Sequence, residues 1–168
     1  MTELNIRRAL PSDVSEIHRM IVDLAVYEKE PDAVVASEDD IRHALFCSSP
    51  RAFSLVCEQI NRDGSRSLTV GFAIYFYNFS TWLGKHGIYL EDLYVRPEAR
   101  GQGAGKGLLR AVARIARDEG LGRFEWSVLK WNTPSIEFYE ACGAAPLDEW
   151  VGYRMDRAAI EAFCADHD

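Results

Sequence analysis

A glycine-rich segment between an apolar strand and an amphipathic helix constrains this chain more than any other feature. It reads VRPEARGQGAGKG from Val95 to Gly107. Glycines let the backbone turn so that several N–H groups point into one space. The helix that follows adds N–H groups without intrahelical partners and the positive end of its dipole. The segment predicts a cradle for a pyrophosphate, with Arg100 and Lys106 at its rim. The alternative is a flexible turn that binds nothing, although each interior glycine at a helix start costs about 1 kcal/mol against alanine.

Two common phosphate-binding motifs do not match this segment. A Walker A loop needs Ser or Thr after Gly-Lys, whereas Gly107 follows Gly105-Lys106 here. A Gly-x-Gly-x-x-Gly fingerprint that starts at Gly101 ends at Lys106, and a start at Gly103 also fails. Neither motif therefore accounts for the glycines.

Length and composition predict one globular domain that spans residues 1–168. Apolar residues make up 48% of the chain and charged residues 27%, which excludes a disordered or fibrous chain. The 19 Lys and Arg against 26 Asp and Glu give a net charge of -7. A general nucleic-acid binder needs the opposite balance near phosphates, so we expect no nucleic-acid partner.

The cysteines and the apolar runs bear on location and cofactors. The four cysteines form no Cys-x-x-Cys pair and no zinc-like spacing with histidine, which predicts reduced thiols and no metal site. No apolar run reaches the roughly 18–20 residues of a membrane span, and the first residues have no signal-peptide character. We therefore expect a cytoplasmic protein without a membrane partner.

Hydrophobic periodicity predicts a mixed α/β fold with a central, mostly antiparallel sheet flanked by helices. Ser37 and Asp40 resemble a helix start whose apolar face is Ile41, Ala44 and Leu45. The predicted strands are 4–10, 53–60, 68–79, 87–95, 123–129 and 150–155, with a hairpin turn at 61–65. The predicted helices are 12–27, one after Ser37, 103–119, 135–141 and a tail from 156.

Two adjacent carboxylates, Glu91 and Asp92, interrupt the apolar strand at 88–95. Strand alternation places them on opposite faces. Charged groups are seldom buried without a partner. Either one faces solvent while the other forms a structural ion pair, or the two carboxylates take part in chemistry.

The segment Arg100-Gly101-Gln102-Gly103-Ala104-Gly105 resembles the acyl-CoA motif Gln/Arg-x-x-Gly-x-Gly/Ala of the GNAT superfamily of N-acetyltransferases. The predicted order of elements is also that family's order, over nearly the whole chain. Segments at 24–28, 89–95, 131–132 and 138–144 are similar to the diamine acetyltransferase group, which includes spermidine/spermine and thialysine N-acetyltransferases. The resemblance implies the GNAT fold and acetyl-CoA as cosubstrate, bound by residues 100–105 together with Lys106. It also implies direct transfer of acetyl, in a ternary complex, to a primary amine of a small molecule such as a diamine, polyamine, lysine analogue or amino acid.

Acetyl transfer to an amine requires a base and an acid. An alkylammonium of pKa near 10.4 must lose a proton before it attacks, and the leaving thiolate must be protonated or otherwise stabilised. The resemblance implies that Glu91 deprotonates the amine through a water and that Tyr139 protonates the CoA sulfur. The alternative for Tyr139 is a core tyrosine in the cluster of Ile136 and Phe138.

The resemblance also implies how the pantetheine arm is held. Asn132 matches a residue whose side chain binds it, and the backbone of Leu93, Tyr94 and Val95 should pair with its amides as in strand addition. Asn132 precedes Thr-Pro, so it is also a plausible helix N-cap.

The acceptor pocket implied by the resemblance contains Asp92, Tyr27, Glu28 and Trp82, the last as an aromatic wall unless it is a core residue. In spermidine enzymes an aspartate stands two residues before this tryptophan. Ser80 occupies that position here, as in the thialysine type, which favours a shorter acceptor with one amine. The chain also has one more residue between Trp82 and Glu91 than those enzymes.

Two other functions stay open on the sequence alone. A protein or peptide N-acetyltransferase would share the fold with an open acceptor groove. A CoA-binding module without turnover would need neither Glu91 nor Tyr139. The segment 150–155 is typical of a strand that this family shares across a two-fold interface, so we expect a homodimer by analogy.

Overall fold

The computed structural model describes residues 3–60 and 67–165, so the predicted turn at 61–65 lies outside the described residues. The chain divides into two compact units, one up to Trp131 and one from Asn132, and each is described by itself. The strands of the first unit are β1 (Glu3–Arg8), β2 (Phe53–Ile60), β3 (Leu68–Ser80), β4 (Lys85–Val95) and β5 (Phe124–Trp126). Its helices are α1 (Val14–Tyr27), α2 (Glu38–Phe46) and α3 (Ala104–Asp118), and the second unit contains α4 (Thr133–Ala141) and α5 (Arg157–Ala165).

The five strands form one sheet in the order in which they occur along the chain. The pairs from β1 to β4 are antiparallel, and β5 pairs with β4 in parallel. The predicted mixed, mostly antiparallel α/β fold is therefore confirmed. A parallel pair needs a long crossover, and α3 provides it between β4 and β5.

Helices cover both faces of the sheet. Ile17 and Met20 of α1 and Leu45 of α2 pack against Phe72 and Ile74 of β3. Ala44, which we expected on the buried face of α2, is exposed instead. Helix α3 lies on the other face. A Cβ on Gly71 of β3 would stand 3.3 Å from Cδ1 of Leu108 in α3, and Gly71 faces away from the side of its neighbour Phe72.

The N-terminal turn of α3 lies close to β1. A Cβ on Gly107 would stand 2.6 Å from Cδ1 of Ile6 in β1. Because Cδ1 is the end of a flexible side chain, the Ile6 side chain would have to shift to admit a larger residue at this position.

Two predicted strands differ from the structure. The strand predicted at 123–129 is paired only at Phe124–Trp126. Its pairing with β4 ends at Leu90, where the register between β3 and β4 shifts. Residues 150–155 form no strand. Trp150, Val151 and Tyr153 are 68%, 75% and 96% exposed. Apolar alternation favours an extended strand, but a strand forms only where another strand is available to pair with it.

No helix in the described ranges is both long and apolar enough to cross a membrane. The four cysteines, Cys47, Cys57, Cys142 and Cys164, are free thiols.

Candidate active site

A β-bulge interrupts β4 at Glu91. Tyr75 of β3 lies opposite Leu90, and the preceding residue Ile74 lies opposite Asp92. Glu91 is therefore an extra residue in β4 that has no paired residue in β3. Bulges bend a strand and redirect its side chains. The prediction that Glu91 and Asp92 lie on opposite faces rested on unbroken alternation, and the bulge removes that basis.

The bulge turns Asp92 toward the face that α1 covers. Residues opposite one another in an antiparallel pair project to the same face, and Ile74 belongs to the core cluster with Ile17 and Met20 of α1. Asp92 therefore shares that face, while Leu90 shares the other face with Tyr75. Glu91 is exposed at the point where the two patterns meet.

Asp92 carries an uncompensated charge. Burial raises the pKa of its carboxyl to about 6, and the negative charges of Glu91 and Glu28 contribute to that rise. Burial also raises the pKa of Glu28, which caps the C-terminal end of α1. The ion pairs among residues 3–60 and 67–165 use carboxylates other than Asp92. The alternative of a structural ion pair is therefore wrong for Asp92.

This acidic cluster, defined here as Glu28, Glu91 and Asp92, favours a cationic ligand. No group of three or more His, Cys, Asp or Glu side chains arranged to hold a metal ion occurs in the described parts of the chain. Three carboxylates beside an open strand can instead receive an ammonium group, which would lower the cost of keeping Asp92 ionised.

The edge of β4 beyond the bulge is open toward β5. The two strands pair only from Ile88 to Leu90. The residues expected to bind the pantetheine arm, Leu93, Tyr94 and Val95, lie just past that stretch and are paired on their other side with β3. Backbone groups on such an edge can add an extended ligand as a further strand.

The glycine-rich segment forms a tight turn that leads directly into α3. Gly101 and Gly103 have φ angles of +74° and +93°, which L-residues with a Cβ rarely adopt. Gly103 is the N-cap, so the amides of Ala104, Gly105 and Lys106 begin the helix. The first N–H groups of a helix have no acceptor within it, and the dipole adds partial positive charge there. Gln102 is tied to the turn through a hydrogen bond from Nε2 to the Glu98 carbonyl, 3.2 Å.

Arg100 is anchored by the protein itself. Its Nε donates to the carbonyl of Val95 at 2.9 Å. Its guanidinium carbon lies 5.2 Å from the ring centroid of Tyr27 and 5.7 Å from that of Tyr94. Arg100 thus connects the glycine-rich segment with the end of β4 and with the end of α1, beyond the rim position we predicted for it.

A second cation, Lys29, sits at the end of α1 and was not identified from the sequence. Its Nζ lies 4.5 Å from the ring centroid of Trp131, and the ring of Tyr27 lies 5.9 Å from the same indole ring. Trp131 and Tyr27 both belong to segments that carry the family resemblance. The only local signal for Lys29 was its place next to Glu28.

Trp82 lies in the turn between β3 and β4 and is 88% exposed, so the core alternative for it is wrong. Ser80 lies opposite Lys85 and Ile74 opposite Asp92. Six residues of β3, or roughly 20 Å at the rise of an extended strand, therefore separate the hairpin end from Asp92. The role of Trp82 as a pocket wall stays a prediction.

The second unit holds the two remaining predicted residues. Asn132 is the N-cap of α4, since its Oδ1 accepts a hydrogen bond from the Ser135 N–H at 3.4 Å. The capping alternative for Asn132 is therefore confirmed, and its role in binding the pantetheine arm stays a prediction. Tyr139 lies in α4 with its ring 5.2 Å from that of Phe138.

Comparison with known proteins identifies the family to which this chain belongs. A model of the acetyltransferase (GNAT) family matches residues 10–144. The chain is 40% identical over 164 residues to thialysine N-epsilon-acetyltransferase of Sus scrofa, covering 96% of each chain. It is 32% identical over 196 residues to an L-ornithine N5-acetyltransferase of Arabidopsis thaliana, covering 94% of this chain and 86% of the relative.

A solved structure supports the fold. An integron cassette protein from the mobile metagenome of V. cholerae superposes with a TM-score of 0.75 at 24% identity, covering 96% of this chain and 97% of the other. The family match and the full-length relatives confirm the resemblance read from the glycine-rich segment. The chain is an N-acetyltransferase and belongs to the GNAT family of acetyltransferases.

Proposed function

We propose that this enzyme transfers the acetyl group of acetyl-CoA to a primary amine of a small molecule, with a diamino acid as the acceptor. GNAT acetyltransferases use acetyl-CoA, and two relatives are named for thialysine and L-ornithine. The observation that carries the proposal is the bulge at Glu91. Pairing of β4 with β5 ends at Leu90, and at the bulge the exposed Glu91 lies next to the half-buried Asp92.

The main chain and the glycine-rich segment hold the cosubstrate in this proposal. Amides at the start of α3 receive the diphosphate, and Lys106 adds positive charge nearby. The backbone of Leu93 to Val95 pairs with the pantetheine arm. Acetyl-CoA supplies an acetyl group activated as a thioester.

Glu91 acts as the general base and Tyr139 as the general acid in this proposal. Glu91, through a water, takes the proton that the acceptor ammonium must lose before its nitrogen can attack. The new C–N bond forms as the C–S bond breaks, and the phenol of Tyr139 donates its proton to the departing sulfur. No acyl-enzyme is involved, since none of the four cysteines lies in the acceptor motifs.

Asp92 and Glu28 hold the part of the acceptor that stays charged. An ammonium near Asp92 stabilises the ionised carboxylate, whose pKa of about 6 leaves it mostly ionised at neutral pH. A peptide acetyltransferase would bind its acceptor through an extended backbone instead, whereas the half-buried carboxylates of Glu28 and Asp92 favour a free cationic end.

An acceptor screen tests this function. The enzyme is incubated with acetyl-CoA and with L-ornithine, thialysine, diamines, polyamines and short peptides, and free thiol is measured. We expect turnover with the diamino acids. Faster acetylation of peptides than of any free amine would favour the protein-acetyltransferase alternative, and CoA binding without thiol release would favour the non-catalytic module.

Replacing the proposed acid tests the mechanism. In Tyr139→Phe we expect kcat with the best acceptor to fall by about 10²-fold or more, because the thiolate loses its proton donor. CoA affinity, measured by calorimetry, serves as the control for folding and binding. An unchanged kcat would remove Tyr139 from the mechanism.

We also propose a cytoplasmic homodimer. Four free thiols suit a reducing compartment, and the exposed apolar segment 150–155 offers a surface for a second copy. Sedimentation equilibrium would show the dimer. A monomer at all concentrations would contradict it.

A further inference from the structure

Lys29 occupies a backbone position at which glycine is the usual residue. The Glu30 N–H donates to the carbonyl of Ala25 at 2.9 Å, and the Lys29 N–H donates to that of Val26 at 3.1 Å. This is the Schellman pattern at the end of α1, which needs a left-handed residue after the cap. Lys29 has a φ of +67° and is the one non-glycine residue with positive φ among those described. A Cβ in that conformation costs about 1–2 kcal/mol.

The left-handed turn fixes where the lysine side chain starts. Glu28 acts electrostatically on Asp92, so the residue before Lys29 is part of the acidic cluster. Lys29 itself places Nζ 4.5 Å from the ring centroid of Trp131. An ammonium held on an indole face therefore follows directly in the chain after a carboxylate of the acidic cluster.

Lys29 has no carboxylate partner among the described residues. Its Nζ contact is the face of Trp131, and the ion pairs between described side chains involve arginines. A lysine on an aromatic ring keeps most of its hydrogen-bonding capacity, because the ring takes up one side of the ammonium. Its three donors can therefore serve a ligand anion.

Building on the proposed function, we propose that Lys29 is the specificity-determining residue that selects acceptors bearing a carboxylate. It pairs with the α-carboxylate of a diamino acid while Glu28 and Asp92 hold the α-ammonium of the same molecule. A diamine of the same length presents only cations, so it gains nothing from Lys29 and is repelled by it. The side chain thereby favours a zwitterionic end over a purely cationic one.

A matched pair of acceptors isolates this contribution. L-ornithine and 1,4-diaminobutane have the same carbon chain between their amines and differ by the carboxylate. For the unmodified enzyme we expect a higher kcat/KM with L-ornithine. In Lys29→Gln the ratio of the two kcat/KM values should fall about tenfold, through a higher KM for L-ornithine and a lower one for the diamine. Lys29→Arg should restore most of the ratio.

Two further variants separate charge from structure. Lys29→Gly removes the ammonium while making the left-handed turn easier, so it should lower the ratio as Lys29→Gln does. Lys85→Gln makes the same charge change at the exposed start of β4 and should leave the ratio unchanged. A ratio that is unaffected in both Lys29→Gln and Lys29→Gly, or a wild-type preference for 1,4-diaminobutane, would overturn the role of Lys29. Absence of acetylation with any amine would instead overturn the proposed function.

Discussion

Two groups of carboxylates in the first unit differ in how their charge is balanced. At the start of the sheet, Arg7 binds Asp13 through two hydrogen bonds of 2.7 and 3.0 Å and Glu58 through one of 2.7 Å. In the acidic cluster, Asp92 has the like charges of Glu91 and Glu28 around it. The first group is a closed ion network, whereas Asp92 in the second has no cation partner among the described residues. In the proposed function, the acceptor ammonium supplies that cation.

The pKa values follow that difference. Burial alone would raise the pKa of Asp13, but hydrogen bonds from Arg7 and from the Leu10 N–H outweigh it and hold that pKa below its ordinary value. The Arg7 hydrogen bond likewise lowers the pKa of Glu58. For Asp92, burial and the neighbouring charges act together, and the pKa rises to about 6. Asp13 and Glu58 have Arg7 as their cation, whereas the ionised Asp92 has only like charges around it and is destabilising.

The largest effect is expected at Glu91, the exposed member of the acidic cluster. Glu91→Gln should lower kcat/KM for the best acceptor by about 10²- to 10³-fold at pH 7.5, because the ammonium loses its base. The deficit should shrink as the pH approaches the amine pKa of about 10.4, where the acceptor deprotonates without help. Initial rates of thiol release from pH 7 to 10 measure both the loss of kcat/KM at pH 7.5 and its decrease at higher pH.

The thermal midpoint and CoA affinity of Glu91→Gln are its controls, since Glu91 is exposed and should add little to stability. A rate loss that stays constant up to pH 10 would contradict the base role.

The next largest effect is expected in the closed network. Arg7→Met should lower the free energy of unfolding by about 2 kcal/mol, because Asp13 and Glu58 keep their charges without a partner. Their side chains are 10% and 16% exposed, and the 28% exposure of Arg7 keeps the loss below that of a fully buried pair. Urea denaturation measures it, and the kcat of the folded variant should be unchanged.

Arg117→Met gives the matched control. Arg117 and Asp118 are 72% and 61% exposed, and such pairs contribute about 0–1 kcal/mol. Equal losses in the two variants would show that the Arg7 network is no more than a surface contact.

Local chemistry explains why much of the fold could be predicted. The capping box at α2 is present as expected, with Ser37 Oγ accepting from the Asp40 N–H at 3.2 Å and Asp40 Oδ2 accepting from the Ser37 N–H at 2.8 Å. Strand β2 has the predicted bounds of 53–60. The capping box and the bounds of β2 both depend on residues that are close in sequence. The strand predicted at 150–155 failed because pairing depends on a partner that the segment itself does not specify.

The same holds for the candidate site: features set by residues close in sequence could be predicted, and features set by strand pairing could not. The turn at Gly101 and Gly103 was visible because only glycine adopts such angles readily. The bulge at Glu91 was not, since it is a mismatch of register between β3 and β4. Lys29 was also missed, because the left-handed end of a helix is normally read from glycine or asparagine.

Asp92→Asn tests the difference between the two groups of carboxylates, because it should stabilise the protein while weakening its binding of the acceptor. Between the unfolded pKa of 3.8 and the folded pKa of about 6, the folded state binds more protons, so the free energy of unfolding falls as pH rises through that window. In Asp92→Asn the free energy of unfolding does not fall in this window, because asparagine does not ionise. The full shift corresponds to about 3 kcal/mol, and partial solvent exposure of Asp92 reduces the effect. The variant should be more stable than the wild type by about 2 kcal/mol at pH 7.5 and equal to it below pH 3. Urea denaturation at the two pH values measures the difference.

The opposite sign of the two effects distinguishes Asp92 from the carboxylates of the closed network. The KM for L-ornithine should rise in Asp92→Asn, since the acceptor loses an anionic partner, while the exposed Asp32→Asn should change neither KM nor stability. Without acceptor, the half-buried charge of Asp92 opposes folding. With acceptor bound, the ammonium compensates that charge, so L-ornithine should raise the thermal midpoint more in the wild type than in Asp92→Asn. An asparagine variant that is less stable at pH 7.5 would mean that Asp92 has a cation partner within the fold.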